Sequence, residues 1–181
     1  MKDQPREPGR DADLVERFRR GDLAAFDDIV REHRREIYWV ARRILGSHED
    51  ADEAAQEVFV RAWRGLDRFR GDSALRTWLV RIALNVARTL RSRPGPSVSL
   101  DDTMEPATSA SAPDERVARA QLGRRLREAV AKLPPRQQEV VLLKVFSAMK
   151  YTDVARVMGL SEGAVKAHLH QAVANLRRRM V

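Results

Sequence analysis

The segment Arg68-Phe69-Arg70-Gly71-Asp72-Ser73-Ala74-Leu75-Arg76-Thr77-Trp78 brings arginines, an aromatic ring, a glycine and small polar side chains together. That mixture suits single-stranded nucleic acid. Guanidinium groups neutralise phosphate, and Phe69 can stack on or wedge beside an unpaired base. Downstream, Thr77, Arg81, Asn85, Arg88 and Arg91 recur at helical spacing and make a basic stripe able to follow a phosphate backbone. A solvated charged face over a buried Trp78 is equally compatible with these residue types.

A second group lies upstream. Ala51, Ala55, Val58, Phe59, Ala62 and Leu66 form an apolar helical stripe, flanked by Asp52, Gln56 and Trp63, with Glu53 and Val60 further round. An aromatic and a valine set among acids and an amide suggest a protein-contact patch. Packing of Trp63 and Val60 against a neighbouring helix is the alternative. A third group spans Tyr151 to Arg179, where a short helix, a turn at Gly159 and a longer helix have the layout of a helix-turn-helix. Val154, Val157, Met158 and Leu160 are expected to pack on Val165, Leu169, Ala172, Val173 and Leu176. The opposite face of the last helix then presents Gly163, Ala167, His170, Gln171 and Ala174, flanked by Lys166 and His168. Small side chains admit a groove wall, and Lys, His and Gln donate to phosphates or base edges. Ser161 and the free amides after it suit a phosphate, and Arg177, Arg178 and Arg179 extend the basic surface.

No nucleophile–base pair, phosphate loop or metal triad can be assembled, so no catalytic residue and no cofactor is expected. With no cysteine there is no disulfide, thiol switch or thiolate metal site. His168 and His170 are two apart on a helix, roughly 160° round from each other, and cannot share an ion. His33 and His48 lie in the other half of the chain, and no metal site is expected.

These groups need scaffolds. The apolar spacing predicts all-helical structure with no strand. Leu14, Val15 and Phe18 begin a short helix that ends near Gly21. Asp22 caps the next, which runs to Gly46. Ser47 opens a helix to about Leu66, and Asp72 or Ser73 caps one to about Arg91. Beyond Pro94-Gly95-Pro96-Ser97 the chain loses apolar periodicity, and residues 94–115 read as a linker. Helices then follow from about Asp114 to Lys132, from Pro135 to about Ser147, from Thr152 to Met158, and from Ser161 to about Arg179. Two small helical domains result, 1–93 and 116–181.

Charge follows the same divisions. Residues 1–93 carry net +3, residues 94–115 net −5 and residues 116–181 net +10, making the +8 of the 181-residue chain. The C-terminal domain is therefore the strongest candidate for a polyanion. No apolar run approaches the roughly 20 residues of a membrane span. The stretch Met1 to Arg10 is charged and carries prolines, unlike a signal peptide. A cytoplasmic protein without membrane insertion is expected.

Asp50-Ala51-Asp52-Glu53-Ala54-Ala55-Gln56-Glu57-Val58-Phe59-Val60-Arg61-Ala62-Trp63 resembles the second conserved region of extracytoplasmic-function (ECF) sigma factors, subunits of bacterial RNA polymerase. Phe69 through Leu79 resembles the melting and minus-ten recognition segment. Leu133-Pro134-Pro135-Arg136-Gln137-Gln138-Glu139-Val140 and Tyr151 through Arg179 resemble the fourth region. The resemblance implies that Asp52, Glu53, Gln56, Glu57, Phe59 and Trp63 bind the beta-prime clamp coiled coil of core polymerase. It implies that Phe69, Arg70, Gly71, Asp72 and Ser73 line a pocket for a flipped non-template base, with Arg76, Thr77, Arg81, Asn85 and Arg88 tracking minus-ten DNA. Ser161, Gly163, Lys166, Ala167, His168, His170, Gln171 and Arg177 would read the minus-thirty-five element near the beta flap, and the acidic linker would enter the active-site cleft. A separate anti-sigma factor is a further implied partner. The chain departs from the family pattern in its recognition helix, where His168, Gln171 and Val173 stand at positions often held by arginine. It departs again at Ser147-Ala148-Met149-Lys150, which replaces a more usual acidic-glycine approach to the tyrosine. A helix-turn-helix regulator acting without core polymerase is the alternative, since Gly159 through His170 also resembles response-regulator output domains. A third reading is an interaction module that kept the fold and lost promoter use.

Overall fold

Eight α-helices occur among the described residues, 9–93 and 113–180, of the computed structural model. Each starts and stops where local chemistry dictates. Helix α1 (Arg10–Arg19) buries Leu14, Val15 and Phe18 and ends before Gly21, whose φ of +91° is left-handed. Asp22 then turns the chain: its Oδ1 accepts the Ala24 amide at 3.1 Å. Helix α2 (Ala24–Leu45) buries Phe26, Ile29, His33, Ile37, Val40, Ala41 and Ile44 along one side. Helix α3 (His48–Gly65) opens on Ser47, whose Oγ accepts the Asp50 amide at 3.3 Å. It runs into a 3₁₀ turn, Leu66–Arg68.

Helix α4 (Leu75–Arg91) departs from expectation at its start. Ala74 is the cap residue, and no side chain caps the helix. Asp72 instead pairs with Arg70 at 2.8 Å, and the Ser73 hydroxyl donates to the Ala74 carbonyl at 3.4 Å. The buried face is also wider than one stripe. Leu75, Leu79 and Val86 are buried, and so are Thr77, Val80, Ala83, Leu84 and Ala87, whereas Trp78 and Ile82 are half-buried. The reason is that α4 packs against both α2 and α3. Alanines 51, 54, 55 and 62 of α3, all nearly or fully buried, keep those helix axes close. Ile29, Ile37, Leu66, Leu75, Leu79 and Leu84 fill the centre, each burial contributing about 1.5–3 kcal/mol.

The chain divides into two compact units, one holding α1 to α4 together with Ala155–Gly159, the other holding α5, α6, the segment up to Val154 and α8. Of the linker expected over 94–115, residues 94–112 lie outside the described residues and the rest open α5 (Pro113–Ala131). Helix α6 (Pro135–Val141) begins with Pro135 in its first turn, where the missing amide costs nothing. The helix expected to continue to Ser147 instead widens into a π turn, Leu142–Phe146. The Ser147 and Met149 amides return to the carbonyls of Leu142 and Leu143, and Ala148 closes the turn at φ +49°. Helix α7 (Tyr151–Met158), Gly159 at φ +66° and α8 (Glu162–Met180) follow. Helix α8 packs on α6 and α5. Its seam is narrower than expected: Val165 and Ala172 are fully buried, Leu169 and Leu176 half-buried, and Val173 is 39% exposed. Val173 lies about 100° round from Ala172, beyond the reach of that seam. No helix among the described residues is long and apolar enough to cross a membrane.

Candidate nucleic-acid interface and docking groove

Three residues of α2, Phe26, Val30 and Arg34, recur every fourth position and form one wall of an open groove. The other wall is α3, through Asp52, Ala55, Gln56, Phe59, Val60, Trp63 and Arg64, and the groove measures about 750 Å³. Of the expected contact patch it gathers Asp52, Gln56, Phe59 and Trp63. Trp63 is both exposed and structural. It stands 41% open to solvent, yet its ring meets Phe18 and Phe26 edge-on, each at 4.9 Å. Phe59 lines the groove with only 9% exposure, so most of its ring is committed to the core. Glu53 and Glu57 face the other side of α3, in a hollow of about 330 Å³ shared with α4. Both are engaged: Arg93 donates to Glu53 at 2.9 Å and Arg61 to Glu57 at 2.7 Å. Val30, Arg34 and Arg64 were missed by sequence reasoning. The four-residue spacing on α2 carried a signal for the first two, but only the packing of α2 on α3 makes it a wall.

The loop after the 3₁₀ turn lies open. Arg70, Gly71 and Asp72 are exposed, Phe69 and Ser73 are half-buried, and Gly71 holds φ +76°. Phe69 is held from beneath: its ring lies 5.3 Å from Trp78, and Arg19 donates to its carbonyl. Trp78 in turn fills the space beside Gly65, where a Cβ would come within 3.4 Å of the indole. On α4, Arg81 and Asn85 are exposed and Arg88 is half-buried. Thr77 does not belong to that stripe, being 4% exposed between α4 and its neighbours. Arg76 Nε bonds both Glu36 carboxylate oxygens, at 2.8 and 2.9 Å, and so ties α4 to α2.

On α8, Ser161 accepts the Ala164 amide at 3.2 Å and so caps the helix. Gly163, Lys166, Ala167, His170, Gln171 and Arg177 are exposed and His168 half-buried. Lys166 lies 5.5 Å above the Tyr151 ring, with Lys144 at 4.7 Å from the same ring, so Tyr151 gathers two cations beside the exposed face of α8. Gln171 accepts from Gln137 at 3.4 Å, and Asn175 donates to Gln137 at 2.7 Å. Gln137 and Asn175, unforeseen from the sequence, therefore orient Gln171.

The Sigma-70 region 2 family matches residues 29–94, and the Sigma-70 region 4 family matches residues 123–176. The ECF RNA polymerase sigma factor SigM of Mycobacterium tuberculosis is 33% identical over 170 residues, covering 93% of this chain and 83% of the relative. SigW of Bacillus subtilis is 28% identical over 176 residues, covering 92% and 94%. The structure of CnrH in complex with the cytosolic domain of CnrY superposes with a TM-score of 0.72 at 30% identity, covering 94% of this chain and 97% of CnrH. With both regions in order and nearly the whole length shared, the chain belongs to the extracytoplasmic-function family of RNA polymerase sigma factors.

Proposed function

We propose that the chain binds core RNA polymerase and directs promoter-specific transcription initiation in the cytoplasm, with no catalytic chemistry of its own. One observation carries this reading: a single helical unit bears an apolar groove edged by Asp52, Gln56, Arg34 and Arg64, with Val60 and Trp63 42% and 41% exposed, together with an open arginine-bearing loop. The groove, through Asp52, Gln56 and Trp63, takes the beta-prime clamp coiled coil. Glu53 and Glu57 serve the same partner after exchanging their arginines. Phe69 to Ser73 receive an unpaired base of the non-template strand, with Phe69 braced by Trp78, and Arg81, Asn85 and Arg88 follow the backbone. Helix α8 enters the major groove of the minus-thirty-five element near the beta flap, with Lys166, His170 and Gln171 forward and Ser161 at a phosphate. The domains are 1–93 and 116–181, joined by the acidic linker. CnrH, 30% identical, was solved with a separate polypeptide bound, and a separate anti-sigma factor is the partner proposed here.

Run-off transcription with purified core polymerase and genomic promoter fragments tests the reading. Initiation at a defined start site on addition of the chain is expected. Failure both to bind core and to start transcription on any fragment would overturn it. Tight duplex binding without core would favour an ordinary helix-turn-helix regulator.

A further inference from the structure

Asp11 lies in the first turn of α1, and Glu32 and His33 are neighbours on α2; one ligand atom from each falls within 4.8 Å of the others. His33 is 0% exposed, and neither ring nitrogen has a hydrogen-bond partner. Folded proteins rarely leave a buried polar group in that state without a water or an ion to meet it. The His33 Nε2 faces Asp11 Oδ1 at 3.9 Å, too far for a hydrogen bond. Metal–nitrogen and metal–oxygen bonds near 2.1 Å put tetrahedral ligand atoms about 3.4 Å apart, so movements of roughly 1 Å would close the three donors on one ion. Arg10 Nε donates to Glu32 Oε1 at 2.5 Å. A carboxylate with two oxygens can keep that bond and still ligate, and the arginine then sets its orientation.

We propose that Asp11, Glu32 and His33 form a binding site for a divalent first-row transition ion of the zinc class. One imidazole and two carboxylates suit such an ion, the imidazole disfavours magnesium or calcium, and the lack of thiolate disfavours soft copper(I). Three protein ligands leave a fourth position for water. The ion staples α1 to α2. Because α1 carries Phe18, which packs on Trp63 at 4.9 Å, occupancy stiffens one border of the groove. The staple itself does not depend on what that groove binds.

The test uses the full chain, stripped with chelator and titrated with ZnCl₂ by calorimetry and thermal melting. His48 lies 3.4 Å from Asp52 on the surface, so titrations are run in a His48→Asn background to remove that competing pair. One equivalent of Zn²⁺ is expected, with Tm raised by about 5–15 °C at a hundredfold excess over Kd. Asp11→Asn, Glu32→Gln and His33→Gln should each weaken binding at least tenfold. If His33→Gln fails to fold, the two carboxylate variants decide. Absence of stoichiometric binding, or unchanged affinity in Asp11→Asn, would overturn the site and leave an ordered water as the partner of His33. Millimolar MgCl₂ should leave Tm unchanged; a shift equal to that from Zn²⁺ would overturn the metal class.

Discussion

Ala148 holds φ +49° at the end of a π turn, a conformation that crowds a Cβ against the backbone. Glycine there should relieve the strain, offset in part by its larger unfolded-state entropy. Ala148→Gly is therefore expected to stabilise the chain by about 0.5–1 kcal/mol in urea unfolding; a loss of stability would show that the alanine methyl is packed. Trp63 joins two jobs, since its ring meets Phe18 and Phe26 yet stays 41% exposed. Trp63→Ala should weaken core-polymerase binding at least about tenfold, or roughly 1.4 kcal/mol. Circular dichroism separates the two jobs: unchanged helix content assigns the loss to the interface, and lost helix assigns it to packing.

Helix starts are where charge acts on whole elements. The Asp22 carboxyl is held below its usual range, first by a hydrogen bond from Arg17 and also by that charge, while the Ala24 and Ala25 amides add to the effect against a desolvation penalty. A carboxyl depressed in the folded state stabilises above its unfolded value near 4 and loses that contribution as pH falls through the lower folded value. Asn keeps the oxygen for Ala24 but not the charge. Asp22→Asn should therefore lower Tm at pH 7, with the gap to wild type closing as pH falls below about 4; a gap independent of pH would remove the charge from the explanation. On α8, Lys166 and Gln171 share the exposed face, with Gln171 oriented by Gln137 at 3.4 Å. Lys166→Ala with Gln171→Ala should reduce initiation that depends on the minus-thirty-five element and leave core affinity unaltered. Undiminished promoter strength in that variant would refute this reading face.

Across the molecule, basic charge is concentrated in 116–181 at net +10, with a smaller surplus of +3 in 1–93. Promoter binding by the assembled polymerase should weaken steeply with salt as counterions are released. Arg81 is exposed on α4. If it meets one phosphate, Arg81→Gln should lower the slope of log K against log salt by about 1 across different promoter sequences. A loss confined to one promoter would mean base readout instead.

Helix identity, the Ser47 cap, the breaks at Gly21, Gly46 and Gly159, and the residues of both conserved regions were legible in the chain itself, because apolar period and turn chemistry act over a few neighbours. What depended on distant partners was not. The burial of Thr77 and the engagement of Arg76 by Glu36 follow from α4 being covered on two sides. The exposure of Val173 follows from the narrowness of the α8 seam. The groove needed α2 laid against α3, and the meeting of Asp11 with His33, 22 positions away, needed α1 docked on α2. Spacing along one helix cannot express such encounters; they arise only when separate apolar faces find a common core.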